Sequence, residues 1–220
     1  MTLAEVDRLN ILYFGDMQLS AKEKALRVRI ATEFEVLVRK YLLTLQTILT
    51  SAKPEQEKDA MVAMAAIAFS REYRKFFNQW YYKYYDEVSN GTDPRGNEAE
   101  WRNTHSTRLS AWLANTVRST SSGGVMSRLR TEIRTEVNAM CNLAVFCALA
   151  DSGEKIKMWK SHKDELTRPT HAKADGQTVP IHEPFAVGGY LMMFPGDTSL
   201  GAPPQEVVNC RCVITRAKLD

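Results

Sequence analysis

Apolar side chains recur every three or four positions through most of the first 150 residues, and that spacing predicts four long helices. Ser20-Ala21-Lys22-Glu23 has the form of a capping box. After it, Leu26, Ile30, Phe34, Leu37, Val38, Tyr41, Leu42 and Leu45 draw a stripe along one face. Pro54 suits the opening turn of a second helix, where its missing N–H costs nothing. The stripe of that helix is Met61, Met64, Ala65, Ala68 and Phe69, and the helix runs on to Tyr85, stopping near Asn90-Gly91. Asn97-Glu98-Ala99-Glu100 opens a third helix, striped by Trp101, His105, Leu109, Trp112, Leu113, Thr116 and Val117. The Ser119–Gly124 run interrupts it. A fourth carries Leu129, Ile133, Val137, Met140, Cys141, Ala144 and Val145 on one side and ends at Asp151-Ser152-Gly153.

Past residue 160 the pattern changes. This stretch holds six of the eight prolines, and the helical periodicity is gone. Gln177–Ile181 and Gly189–Phe194 read as short strands, the second ended by Pro195-Gly196-Asp197. Val207–Thr215 reads as the clearest strand, with Val208, Cys210, Cys212 and Ile214 on one face and Asn209, Arg211, Val213 and Thr215 on the other. The expected fold class is α+β: a long-helix region over residues 1–150, then a small mixed α+β domain over residues 151–220.

Composition narrows the function classes. At 44% hydrophobic and 25% charged, the chain has enough apolar residues for a real core. A net charge of +3 tolerates a nucleic-acid neighbour without arguing for one. No apolar run of membrane-span length is read from the sequence, and the acidic Met1–Asn10 segment does not read as a secretory signal. Folding in a reducing cytoplasm is expected, with the four cysteines as thiols or metal ligands rather than disulfides. Cys141 and Cys147, among apolar helix neighbours, read as inert.

Two segments are open to more than one reading. The aromatic run Phe76–Tyr85 is either a helix buried on several sides or a docking surface. A docking surface in the helical half is expected on Phe76, Phe77, Trp80, Tyr81 and Tyr84, or on the Leu26–Leu45 stripe. Arg128, Arg130 and Arg134, with Arg118 before the Ser/Gly break, are a candidate phosphate-binding group. Glu132 and Glu136 interleave with them, however, as on a solvated helix with intrahelical ion pairs, and that reading is preferred.

Three segments, in order, resemble the phage Mu F-like minor head proteins. The first is Leu129-Arg130-Thr131-Glu132-Ile133-Arg134-Thr135-Glu136-Val137-Asn138, with Ala139 and Asn142. The second is Trp159, Arg168, His171, Asp175, Gly176, Gln177 and Phe185. The third is Phe194-Pro195-Gly196-Asp197, Glu206 and Asn209-Cys210-Arg211-Cys212. The resemblance spans roughly residues 128–216 and departs from a helical Arg-x-x-His spacing at Pro169, which limits local helix formation. It implies a low-copy minor capsid protein acting in head morphogenesis, associated with the portal protein and other capsid components. It also implies a place in the virion, in the capsid interior or at the portal vertex, after assembly in the host cytoplasm, with a link to DNA packaging or delivery.

The residues themselves offer one sharp constellation. Zinc favours Cys sulfur and His nitrogen, and His171, Cys210 and Cys212 are a candidate set, with His162, Asp175 or His182 as a fourth member. On a strand the two cysteines would share a face with Cα atoms about 6.5–7 Å apart, better suited to one metal than to a disulfide. The other reading has both thiols buried as small hydrophobes, with His171 bonded to Asp175 or a carbonyl. In either case Arg168, His171, Asp175, Gly176, Asn209 and Arg211 are expected to form one polar cluster that pins the loop-rich domain. No other cofactor is expected. Gly-x-Ser-x-Gly, His-Glu-x-x-His and Walker patterns are absent, so no catalytic residue is assigned and no enzyme is expected. The alternatives are a DNA-binding packaging accessory and a Mu F-like effector module with hydrolytic activity.

Overall fold

In the computed structural model, which describes residues 19–96, 98–119 and 122–217, Ser20 accepts the backbone N–H of Glu23. The Glu23 carboxylate returns to the N–H of Ser20, so α1 (Ala21–Thr50) starts on a complete capping box. Pro54 precedes α2 (Glu55–Ser89), which ends on Asn90 in the left-handed region at φ 52°. α3 (Ala99–Ser119) and α4 (Ser122–Asp151) follow. The Met1–Asn10 segment, Asn97, Thr120 and Ser121 lie outside the described residues.

The four helices pack on one another as a bundle. The α1 stripe is buried much as the periodicity predicts, through Ile30, Phe34, Val38, Tyr41, Leu42 and Leu45. The inner face of α2 keeps Ala65 and Phe69 of the predicted stripe but continues through Val62, Tyr73 and Phe77, while Met64 and Ala68 are exposed. Both expected docking surfaces are therefore core. Phe77, Trp80, Tyr81 and Tyr84 are at most 1% exposed, and half-buried Phe76 stacks on Phe34 at 5.0 Å. Polar tips in this run are also engaged. Trp80 donates to Glu33, Tyr85 donates to Asp151, and Tyr84 accepts from Arg27.

α4 corrects a further expectation. Gly124–Asp151 is long and apolar enough to cross a membrane by length and composition, but 78% of its apolar window is buried inside the protein. It is the central helix of the molecule, touching α1, α2 and α3 on one side and the C-terminal sheet on the other.

The C-terminal part comprises β1 (Ile156–Lys160), α5 (Pro169–Ala174), β2 (Thr178–Pro180), β3 (Phe185–Val187), β4 (Tyr190–Met192), α6 (Pro204–Val207) and β5 (Val213–Arg216). β2, β1 and β5 form an antiparallel sheet in that order, with Trp159 opposite Ile214. β3 and β4 form a hairpin through Gly188-Gly189, whose φ values of 61° and 87° suit a tight two-residue turn. The long strand expected over Val207–Thr215 is mostly not a strand. Its first residue ends a short helix, residues 208–212 are irregular, and pairing begins only at Val213. Asn209 sits at φ 57°, and this left-handed residue breaks the strand. Pro169 corrects another expectation: it starts α5 as its first residue, so Arg168 caps a short helix that carries His171.

The Phe194–Asp197 turn docks on α4. Gly196 has φ 92°, and a Cβ there would lie 2.8 Å from the Ala139 Cβ and 3.1 Å from its Cα. Gly196→Ala is therefore expected to cost about 2–4 kcal/mol, combining left-handed strain with overpacking. Urea unfolding of the variant would measure it, and a loss under ~1 kcal/mol would contradict this packing.

Candidate functional site

α5 brings His171 under the irregular segment that carries the cysteines. The His171 Nδ1 lies 3.6 Å from Cys210 Sγ and 3.3 Å from Cys212 Sγ, and all three residues are buried. On the far side of the ring, Nε2 lies 3.0 Å from Glu206 Oε2, and Glu206 also accepts from Thr170. A carboxylate accepts, so Nε2 carries the proton and donates. Trp159 meets the His171 ring edge-on at 5.6 Å and closes the site from β1.

The electrostatics are those of a coupled pair. The hydrogen bond from Cys212, helped by His171, holds the Cys210 thiol well below its ordinary value despite burial. The same bond, together with burial, pushes Cys212 up. Burial works against charge on His171, yet the Cys210 contact raises its pKa.

Among the described residues the cysteine segment has no strand partner, so its backbone groups need others. Helix α4 supplies them for the Asn209 N–H and for the Cys210 and Cys212 carbonyls. Asn138 Nδ2 donates to the carbonyls of Cys210 (2.8 Å) and Cys212 (3.2 Å). Asn142 Nδ2 donates to the carbonyls of Cys212 and Pro195, and its Oδ1 accepts from Ile214 N–H. Thr135 accepts the N–H of Asn209, and Arg134 donates to the Asn209 side chain. From the start of α5, Arg168 donates to the Val208 carbonyl. Arg211 is gripped bidentately by Asp164, with both bonds at 2.6 Å. The chain of contacts reaches α1: buried Arg27 donates to Asn138 Oδ1 at 2.6 Å and to Tyr84 at 2.9 Å.

The expected single polar cluster is thus two. Arg168, His171, Asn209 and Arg211 surround the cysteines. Asp175 and Gly176 close a different turn, with Asp175 accepting Ser161 N–H and pairing with Lys163, while Gly176 N–H donates to the Trp159 carbonyl. The partner of His171 is Glu206, not Asp175. His182 is exposed, and His162 pairs with Asp164 at 3.5 Å and borders the cleft beside the cysteines.

The arginine group is also divided. Arg128 and Arg130 are exposed near the start of α4, Arg134 is turned to Asn209, and Arg118 pairs with Asp59. Glu132 and Glu136 are not on a solvated face. Both are buried and pair with Arg108 of α3 at 2.7 and 2.8 Å. Glu136 also meets His105 at 2.9 Å and accepts from Tyr73. Burial opposes its charge, but His105, Arg108 and Tyr73 overcome it and hold Glu136 at about 2. Sequence reasoning placed His105 in an apolar stripe and missed this cluster. The available signal was a histidine on a buried face, facing a helix with carboxylates four residues apart.

With this geometry established, comparison with known families is decisive for affiliation. The sequence profile of the family described as Phage Mu protein F like protein matches residues 96–215, more than half of the chain. The chain belongs to the phage Mu protein F-like family. As a member of that family it is a phage head-morphogenesis protein, related to the capsid and its components. The match begins before the stretch that carried the resemblance and takes in α3 as well as α4, so the Mu F-like segment includes Glu136 with its partners His105 and Arg108, though not Tyr73, and the His171, Cys210 and Cys212 site. No curated protein and no solved structure matches the chain.

Proposed function

We propose that this Mu F-like protein is a minor head component that docks at the portal vertex during procapsid assembly and serves DNA packaging or delivery. The role is architectural, not enzymatic. The observation that carries the reading is the family match over residues 96–215. The outer face of the bundle supports it. With the aromatic run buried, the large apolar side chains left outside on α1 and α2 include Val36, Leu43, Met64 and Ile67, each more than 60% exposed. Ile67 lines an open groove of about 610 Å³ between α2 and α3, rimmed by Arg71, Arg74 and Lys75. Exposed apolar side chains and a groove with a basic rim are features that a capsid partner can cover.

Co-expression with the portal protein of the same phage, followed by size-exclusion chromatography, tests this reading. Stable co-elution is expected, and it should fall at least about tenfold in affinity for Ile67→Asp, since burying a charge in place of an apolar contact costs more than ~1.4 kcal/mol. The helical circular dichroism of that variant should be unchanged. Clean separation of the wild-type chain from the portal, together with its absence from purified heads, would contradict the docking role.

A further inference from the structure

We infer that His171, Cys210 and Cys212 bind one zinc ion that ties α5 to the C-terminal segment. This inference does not depend on the portal reading. It rests first on ligand geometry. In a tetrahedral zinc site with Zn–S of about 2.3 Å and Zn–N of about 2.0–2.1 Å, the N···S edges are about 3.6 Å long. The observed edges from His171 Nδ1 are 3.3 and 3.6 Å, and the three ligand atoms lie within 4.8 Å of one another.

The second argument is the state of the histidine. A metal needs a nitrogen lone pair. Glu206 accepts a hydrogen bond from Nε2–H, which leaves Nδ1, the nitrogen facing both sulfurs, with the free lone pair. Carboxylate, imidazole and metal in line is the arrangement that fixes a ligating histidine. Glu206 is itself confined: a Cβ at Gly188 would come within 2.6 Å of its carboxylate oxygen.

The third argument is the way the sulfurs are aimed. The chain leaves strand geometry at Asn209, and α4 holds the carbonyls of both cysteines by Asn138 and Asn142. Packing two thiols as small hydrophobes would not need this. Two thiolates also neutralise a divalent cation, so the buried group carries no net charge. The fourth corner is solvent. A cleft bordered by His171 and Cys212, with His162 and Arg168 on its walls, has about 10 Å³ of space for water, close to what one molecule needs. The ion closes the tertiary structure at the point where the pairing of the sheet runs out.

The full chain, expressed in zinc-replete medium and purified under reducing conditions without chelator or added metal, should contain about one zinc per chain, as expected for a single site. X-ray absorption should give two sulfur and two nitrogen or oxygen neighbours. Cys210→Ser and His171→Ala should lose the metal, and His182→Ala should keep it. Glu206→Gln should bind about 10–100-fold more weakly in chelator competition. Because the ligand variants could fail to fold, cobalt titration of wild-type protein stripped of metal gives an independent readout: a thiolate-to-cobalt charge-transfer band with tetrahedral d–d bands. A wild-type protein with no zinc, freely titrating thiols and no such band would overturn the inference. So would undiminished zinc in the Cys210→Ser/Cys212→Ser double variant.

Discussion

Asn138→Ala is expected to destabilise the protein by about 3–5 kcal/mol, the cost of stranding a buried charged group and a buried carbonyl at once. One amide serves three partners: it accepts from Arg27 and donates to the carbonyls of Cys210 and Cys212. Arg27 is fully buried, and Tyr84 would be left as its nearest fixed partner. Cys212 would keep Asn142 at 3.0 Å, but Cys210 would lose its side-chain donor. For a chain of this size each kcal/mol lowers Tm by about 2–4 °C, so a fall of roughly 6–20 °C is expected in a thermal melt. A fall under about 3 °C would mean that the cysteine segment does not depend on α4 for its carbonyl partners.

The second large effect is expected at Glu136. Its folded value of about 2 lies below the ordinary 4.5, so the native state holds its charge where the unfolded chain would take up a proton. The resulting stability is fully present above about pH 4.5 and is lost as pH falls toward 2. A separation of this size corresponds to about 3 kcal/mol. Glu132, beside it, works in the opposite sense, because burial outweighs Arg108 and raises its pKa. Wild-type acid titration alone would mix the two. Comparing wild type with Glu136→Gln isolates the one. The variant should be about 3 kcal/mol less stable at pH 7, with the gap closing by pH 2. A gap that stays constant with pH would show that Glu136 contributes packing rather than charge.

The helical half was legible because its signals are local. The Ser20 capping box, the Asn90 terminus and the α1 stripe each depend on residues within one or two turns. The sheet was less legible, and β1 shows why. In Ile156-Lys157-Met158-Trp159-Lys160 the inward residues are Lys157 and Trp159. A lysine on the buried face reverses the apolar alternation that marks a strand. Lys157 is tolerated there because it donates to the Met193 carbonyl and lies over the Phe146 and Phe185 rings, while burial lowers its pKa to about 8. None of these partners is near it in sequence. The cysteine segment misled in the opposite way. Its alternation mimics a strand, yet Asn209 turns the backbone and α4 supplies the hydrogen bonds that a neighbouring strand would give. The convergence of His171 with both thiols was legible from residue type. The role of Glu206 was not, because nothing in the spacing of residues 171 and 206 places them together. The aromatic run was open to two readings because helical periodicity does not count partners: α2 is contacted by three helices, and over residues 76–85 only Asn78, Gln79 and Lys83 are exposed.

The dependence of the cysteine segment on the helical bundle is read most directly by hydrogen exchange as a function of denaturant. The amides of Asn209 and Ile214 donate to Thr135 and Asn142, side chains of α4, not to a strand. If α4 builds the site, these amides exchange only through the same opening that exposes the core of α4, with equal free energy and equal denaturant dependence. If residues 209–214 instead exchange quickly and independently of denaturant while Val137–Ala148 stay protected, the cysteine site is a separate, locally ordered unit and α4 does not build it.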